Sequence, residues 1–583
     1  ILVKQFKIKI IYFLMDADYP TYLKSYFNQE LNWIFFQLSR KTTRIPLLLL
    51  EQKLENVLLF SKNILQNKSV FNDDRVSICK KYLKYFYLLI PFTRDTYLGL
   101  GEHDLTYSMI NAFYNTFPSL AYESIQLILT PLDNDNKNQN IGSWRDIKYL
   151  CEYVYNISSL KHKHPLIKFC ISLVNEQLIK DIETWKYSVN CFSIYHISNV
   201  AKHIPRETSK FSWLFEQLAI DFVIKTKPYI LSSPKTLNSY QKALSKTKRI
   251  YRKNIVSLNK ALSTPQIQFC EKRKELDNVS LTKHTYIKNQ QLFSKYTNAS
   301  FLFFNKLNNF NYEHSFYLCG HNFCHVPIEH IIKRCVLLHD QDYIDPQERN
   351  FLNILWEKYT SKIYNKKDYI IPVLDVSDCT NNNSFYAALG NALLLTYNSH
   401  FQNRIIAVDK SPTWIKVDPS FGILEQVTFF MKSIYNMSNT SCNFQKAFQL
   451  LSTTMKSIRA TNKQVESTKV VILSSFKDSF SYENFMQTFK DKWFYTFPYL
   501  VLWNFSNLNC ISLPGEVKKK YMFIISGYSF NQIYNVLYSN RNKTSFQNIT
   551  SILKKDRYTP FTNFLDFYLD FKFVLSDKYL PIY

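Results

Sequence analysis

The chain has 583 residues, 46% hydrophobic and 20% charged, a balance that excludes both a disordered polymer and a single small core. A formal charge of +26 fits a polyanionic partner, although lysine-rich residue usage raises that figure by itself. Only 8 glycines are present, against about 7% in an average protein, which excludes Walker-type and dinucleotide-type phosphate loops.

Residues 1–14 mix apolar and basic side chains without the charged-then-apolar order or small-residue cleavage site of a signal peptide. Met15, followed by Asp16-Ala17-Asp18, reads as the natural start, which makes 1–14 a non-native leader. No stretch reaches the ~20 apolar residues of a membrane span, so an intracellular, cytoplasmic protein is expected.

From residue 22 to about 220, apolar residues recur at spacings of three and four, predicting helices over 47–64, 76–89, 105–116, 146–155, 165–179 and 210–223. Breaks are expected at Pro91, Pro118, residues 133–139, His164-Pro165 and Pro205. Such helices with short joins predict an irregular all-α, helical-repeat-like region over 15–340, with no fixed repeat period. The 11 cysteines are odd in number and scattered. Cys170 and Cys335 lie in apolar periodic stretches, as buried thiols do in a reducing compartment.

Between about 225 and 295 the character changes to basic. Lys242, Lys246, Lys248, Arg249, Arg252, Lys253 and Lys260 come close together, followed by Lys272, Arg273, Lys274, Lys283 and Lys288. Tyr240, Tyr251, Phe269 and Tyr286 are interleaved. Positive helices with aromatic neighbours suit a surface that tracks phosphates; a solvated helical face would have the same composition.

The string Cys319-Gly320-His321-Asn322-Phe323-Cys324-His325, with His330, Cys335 and His339 beyond, raises the question of zinc. Its spacing is too crowded for paired zinc ligands, and the last three fall in a helical apolar pattern, so core or surface roles are expected. A connecting helix within 341–367 leads to an α/β region over 368–583. Strands are expected over 369–376, 404–408, 413–417, 469–473, 499–503 and 521–526, alternating with helices, which implies a mostly parallel sheet. Asp375 stands at the C-terminal end of the first strand, where such sheets hold ligands.

The run Asp375-Val376-Ser377-Asp378-Cys379 resembles the first loop of the metal-ion-dependent adhesion site of von Willebrand A domains, Asp-x-Ser-x-Ser. That site holds a hard divalent cation on hydroxyls and carboxylates. Here Cys379 takes the last hydroxyl position, Cys442 stands where a Thr is expected, and Ser475 stands where an Asp is expected. Sulfur is too soft for such a site. The resemblance therefore implies a Rossmann-like von Willebrand A domain whose metal site is degenerate and empty, Mg²⁺ being the cation that a rescued site would take. Thr440 or Asp478 could supply a replacement ligand by a register shift.

From about residue 90 onward the chain resembles a family of giant DNA viruses, fungi, protists and plants that couples a TROVE-like helical region to a von Willebrand A domain. The TROVE module is that of Ro ribonucleoproteins. The likeness is carried by Arg94-Asp95 with Gly99 and Gly101-Glu102, by Gly142-Ser143-Trp144-Arg145-Asp146, and by Ile204-Pro205-Arg206-Glu207 with Ser209-Lys210-Phe211. Further matches are Tyr251-Arg252-Lys253, Leu502-Trp503-Asn504, Ser526-Gly527-Tyr528-Ser529 and Asp556-Arg557-Tyr558. His203 replaces a Trp usual in that family.

Without the resemblance, Arg94-Asp95, Arg145-Asp146 and Arg206-Glu207 read as opposite charges at helix starts that cap a helix or bridge its neighbours. No nucleophile–base pair or carboxylate dyad stands out, so no enzyme is expected. The expected function is non-enzymatic binding of single-stranded or structured RNA through Lys242–Lys260 cations, by analogy with the Ro architecture. The alternative is a protein-interaction scaffold, carried in a virus particle, with a protein partner docked on the A domain without metal.

Overall fold

The computed structural model describes residues 19–41, 43–66, 73–130, 140–191, 197–234, 236–262, 326–339, 341, 344, 346–363, 368–377, 382–397, 399–401, 403–435, 442–476, 482–489, 496–506, 522–539 and 543–572. They form two compact units. One gathers the described parts of Ile1–Phe117 and Val326–Val574, the other those of Pro118–His325.

The first unit opens with α1 (Tyr19–Phe36), α2 (Arg44–Gln66), α3 (Asp73–Arg94) and α4 (His103–Thr116). In α2, Leu47, Leu50, Leu54, Val57, Leu58 and Leu65 form a buried stripe at three- and four-residue spacing, packed on α3 and α4. α3 continues through Pro91, where the sequence suggested a break. The proline lies in the last turn, so only one helical hydrogen bond is lost, and the Asp95 N–H still donates to its carbonyl at 2.8 Å. Arg94-Asp95 therefore closes a helix rather than starting one. The chain then folds back on α3, with the Leu100 N–H donating to the Phe92 carbonyl at 3.0 Å. A Cβ on Gly99 would stand 2.0 Å from that carbonyl oxygen.

The second unit contains α5 (Pro118–Leu129), α6 (Trp144–Ile157), α7 (Pro165–Cys191), α8 (Val200–His203), α9 (Ser212–Thr226), α10 (Tyr229–Ser232) and α11 (Leu237–Ala261). Pro118 and Pro165 open their helices, where the missing N–H costs nothing. Asp146 closes a capping box with Ser143 at the start of α6. Asn175 of α7 joins α7, α9 and α11: it donates to the Leu218 carbonyl at 2.9 Å and accepts from the Tyr251 hydroxyl at 3.1 Å. Tyr251 packs against Phe215 and Phe222 in the same core.

The first unit resumes with α12 (Ile328–His339) and α13 (Pro346–Ile363) and then alternates. β1 (Ile370–Asp375), α14 (Asn383–Tyr397), β2 (Arg404–Val408), β3 (Thr413–Lys416), α15 (Ile423–Ile434), α16 (Phe444–Ser457) and α17 (Asn462–Ser467) come first. β4 (Lys469–Ser474), α18 (Tyr482–Phe489), β5 (Tyr499–Asn504), β6 (Met522–Ser526), α19 (Gln532–Tyr538), α20 (Ser545–Leu553) and α21 (Thr559–Phe567) follow. The six strands take the order β3-β2-β1-β4-β5-β6. All neighbours pair in parallel except β2 with the edge strand β3. β1, β5 and β6 are buried at every residue, as their unbroken apolar runs require of strands covered on both faces. The α plus α/β class expected from the pattern is thus present, with strands at all six expected places.

Where the chain compacts differs from the sequence-based division at 340 and 368. α1 packs on β6 and α20, and α3 packs on α20 and α21, so the leading helices share a core with the sheet. Among the described residues, no helix is long and apolar enough to cross a membrane.

Candidate functional site

α11 carries all seven basic residues singled out in the sequence. At 100° per residue, Lys242, Lys246, Arg249, Lys253 and Lys260 fall within about 60° of one another, along roughly 27 Å of helix. Thr247, Tyr251 and Leu258 form the opposite, buried face. Among the described residues no carboxylate pairs with any of those five cations, all of which are exposed. Lys248 and Arg252 flank the stripe and are engaged: Lys248 Nζ lies 2.5 Å from Glu216, and Arg252 lies 3.3 Å from Glu207. Tyr251 cannot stack on a base, because it is wholly buried and burial holds its hydroxyl well above its usual pKa. Tyr240 is exposed, but at 100° per residue it falls on the side of Thr247, Tyr251 and Leu258, opposite the stripe. Lys272, Arg273, Lys274, Lys283, Lys288, Phe269 and Tyr286 lie outside the described residues.

The second candidate is the C-terminal edge of the sheet, where strand order reverses between β1 and β4. Asp375 ends β1 and both its carboxylate oxygens are engaged. Oδ1 accepts from the Ser377 N–H at 3.0 Å and the Ser377 hydroxyl at 2.6 Å, and Oδ2 accepts from the Ser474 hydroxyl at 2.5 Å. The β4 residue that reaches Asp375 is therefore Ser474, one before the Ser475 indicated by the loop pattern. Cys442 directs its Sγ toward the Val408 carbonyl at 3.9 Å, at the end of β2. Cys379, Thr440 and Asp478 lie outside the described residues. Asp409, a second buried carboxylate at this edge, carries no motif and was not anticipated. Among the described residues, no group of three His, Cys, Asp or Glu side chains could hold a metal ion.

The same edge is covered beyond β4 by α1. Asn504 at the end of β5 donates to the Phe36 carbonyl at 2.8 Å, and Ser526 at the end of β6 donates to the Phe35 carbonyl at 2.7 Å. These are two of the carbonyls that a helix end leaves without an intrahelical partner. The Phe36 ring lies 5.8 Å from that of Phe476, which follows β4.

Several motif residues turn out to be partners in this unit. Asp95 accepts from Arg557 at 3.0 Å and from the Tyr558 hydroxyl at 3.1 Å. Ser529 donates to the Gly99 carbonyl at 3.0 Å. Gly527 has φ +98, and a Cβ there would meet Leu100 at 2.8 Å. Glu102 pairs at 3.0 Å with Arg40, which also reaches Glu329 at 2.7 Å and lies 4.7 Å over the Tyr528 ring. Arg40 had no sequence signal, since its partners lie in three distant segments. The histidine–cysteine string 319–325 lies outside the described residues. Cys335 is fully buried on α12, whose Ile328 and Ile332 crowd Gly390 of α14.

In the second unit, Trp144, Cys151, Cys170, His203, Pro205 and Leu214 line a cavity of about 20 Å³, room for one water and too small for an organic ligand. Burial, reinforced by Lys202, Lys148 and Arg145, pushes the His203 imidazole down to about 4. No protein-family model and no curated protein matches the chain.

Proposed function

We propose that the chain is a non-enzymatic RNA-binding protein of Ro/TROVE-like architecture, whose α/β part is a von Willebrand A-type domain working without a metal. The observation that carries this reading is the stripe of five cations on α11, with no carboxylate partner among the described residues, opposite a buried face. A merely solvated helix disperses its charges and pairs them; this one gathers cations along one line, as a polyphosphate backbone requires. The strand order β3-β2-β1-β4-β5-β6 with an antiparallel edge strand supports the A-type reading. The hydroxyls already bonded to Asp375 and the soft sulfur of Cys442 favour a site that takes no Mg²⁺.

A salt titration of single-stranded RNA binding to the full chain tests it. Five phosphate contacts should weaken binding about a hundredfold between 50 and 200 mM salt. EDTA and Asp375→Ala should leave the affinity unchanged. Absence of binding at 50 mM salt would overturn the proposal and favour a protein-interaction scaffold.

A further inference from the structure

A second group of cations in the helical unit is built quite differently from the stripe on α11. Arg145 and Lys148 stand on the first turns of α6, Lys202 on α8, and Lys210 just before α9. Three of them converge on the Tyr149 ring, and two of these also on the Phe211 ring. Arg145 lies 5.3 Å, Lys148 4.9 Å and Lys210 5.9 Å from the centroid of Tyr149. Lys148 and Lys210 also lie 5.0 and 4.8 Å from the centroid of Phe211, whose ring meets Tyr149 edge-on at 5.6 Å. Aromatic faces hold ammonium and guanidinium groups in place without neutralising them.

The compensating charge is small. Glu152 pairs with Lys210 at 2.6 Å, while Asp146 is buried and committed to the Ser143 N–H at 2.7 Å in the capping box of α6. Among the described residues, Arg145, Lys148 and Lys210 thus share one available carboxylate. Burial lowers the Lys148 ammonium below its usual pKa, with Arg145 and Lys210 adding to the effect. Burial alone would raise the Tyr149 hydroxyl, but a hydrogen bond from Arg145 and the nearby lysines bring it below its usual value. Folding has gathered like charges that would lower their energy by sharing an anion. Ring-bound cations with fixed positions suit a compact, oxygen-rich anion, and phosphate is the one that polynucleotides supply.

We propose that Arg145, Lys148 and Lys210 form a phosphate-binding site that takes one phosphate group of an RNA chain, with Lys202 at its margin on α8, which packs against α6. The Asn259 amide donates to the Ala201 carbonyl at 3.3 Å, which places α8 and Lys202 beside the Lys260 end of the stripe. The site extends the RNA reading and rests on it only for the source of the phosphate. Tyr149 and Phe211 act as positioning residues, through the cations they hold.

The test uses the full chain and two probes. Inorganic phosphate should raise the thermal midpoint relative to chloride at equal ionic strength. That rise should survive in the K246E/R249E/K253E variant and vanish in the Lys148→Met/Lys210→Met variant. The exposed Lys210→Gln change alone should diminish it, which keeps the test valid if the double variant fails to fold. The second probe is one RNA sequence carrying either a 5′-monophosphate or a 5′-hydroxyl. Loss of the site should weaken RNA binding about tenfold and make the log–log salt slope shallower by about one. If only the 5′-phosphorylated RNA is weakened, the site takes a chain end; if both are weakened equally, it takes an internal phosphodiester. A phosphate effect in a chain that binds no RNA would keep the site and remove the RNA reading. Absence of the effect in the wild type, or its persistence in the Lys148/Lys210 variant, would overturn the proposal.

Discussion

Asp95 is wholly buried, and both its carboxylate oxygens accept hydrogen bonds. Oδ1 accepts from the Tyr97 N–H at 3.0 Å, and Oδ2 from the Leu98 N–H at 3.2 Å, besides Arg557 and Tyr558. Removing one member of a buried charge pair leaves the other uncompensated, which costs about 3–5 kcal/mol. Asp95→Ala should therefore lower stability by that amount in urea unfolding, and Asp95→Asn, which keeps one acceptor oxygen, should cost less. An Asp95→Ala chain as stable as the wild type would contradict this assignment. His203 gives a prediction in pH. The unfolded chain takes up its proton near 6.5 and the folded chain only near 4, so the unfolded state binds more protons between those values. The stabilisation from the neutral imidazole is fully present above pH 6.5 and is lost progressively as pH falls to about 4. Its size is at most about 3 kcal/mol, reduced by the ring's partial exposure. His203→Phe should flatten this part of the stability–pH curve, measured as urea midpoints at pH 4.5 and 7; an unchanged slope would remove His203 as its source.

At the scale of elements, α11 separates two kinds of cation within one basic run. Charge reversal at Lys246, Arg249 and Lys253 should abolish RNA binding while leaving the unfolding transition within about 0.5 kcal/mol of wild type, because these side chains touch no partner among the described residues. Reversal at Lys248 should instead disturb packing on α9 through Glu216, with a smaller effect on RNA. RNA affinities of the two variants, compared at 50 mM salt, decide it; equal losses would mean that the stripe is not the interface. The run was legible in the sequence because its members are local, and so was its helical spacing. That Lys248 and Arg252 are taken by Glu216 and Glu207 was not, since the acids come from other segments. The short helices α17 and α20 offer no long apolar period in the sequence. Their starts were nonetheless written in the sequence, as capping boxes of Thr461 with Gln464 and Thr544 with Gln547. Around Asp375 the motif indicated the loop, but not that the Ser474 hydroxyl donates to the Asp375 carboxylate.

At the scale of the molecule, the change in helix and strand character near residue 368 marks a change of local structure, and the leading helices α1 and α3 pack on elements that follow it. The partners that join α1 to the sheet lie 491 residues apart in the case of Phe35 and Ser526, and 468 in the case of Phe36 and Asn504. Alternation of helix and strand signals carries no record of such pairs. A chain beginning at residue 326 would expose the ends of β5 and β6 and the α20 and α21 surfaces that α1 and α3 cover. It should therefore give a molten state, with far-UV but little near-UV circular dichroism and strong dye binding, rather than a cooperative fold. The full chain offers the complementary measurement. Hydrogen exchange reports cooperative units, and amides of α1, β5 and β6 should open together with the same free energy. If α1 exchanged by local opening several kcal/mol easier than β5 and β6, the leading helices would be an appendage to an independent α/β domain, and the division near residue 368 would stand. Matched protection would mean that one core is assembled from both ends of the chain. The residues from Pro118 to His325 would then be an insertion into a single folding unit.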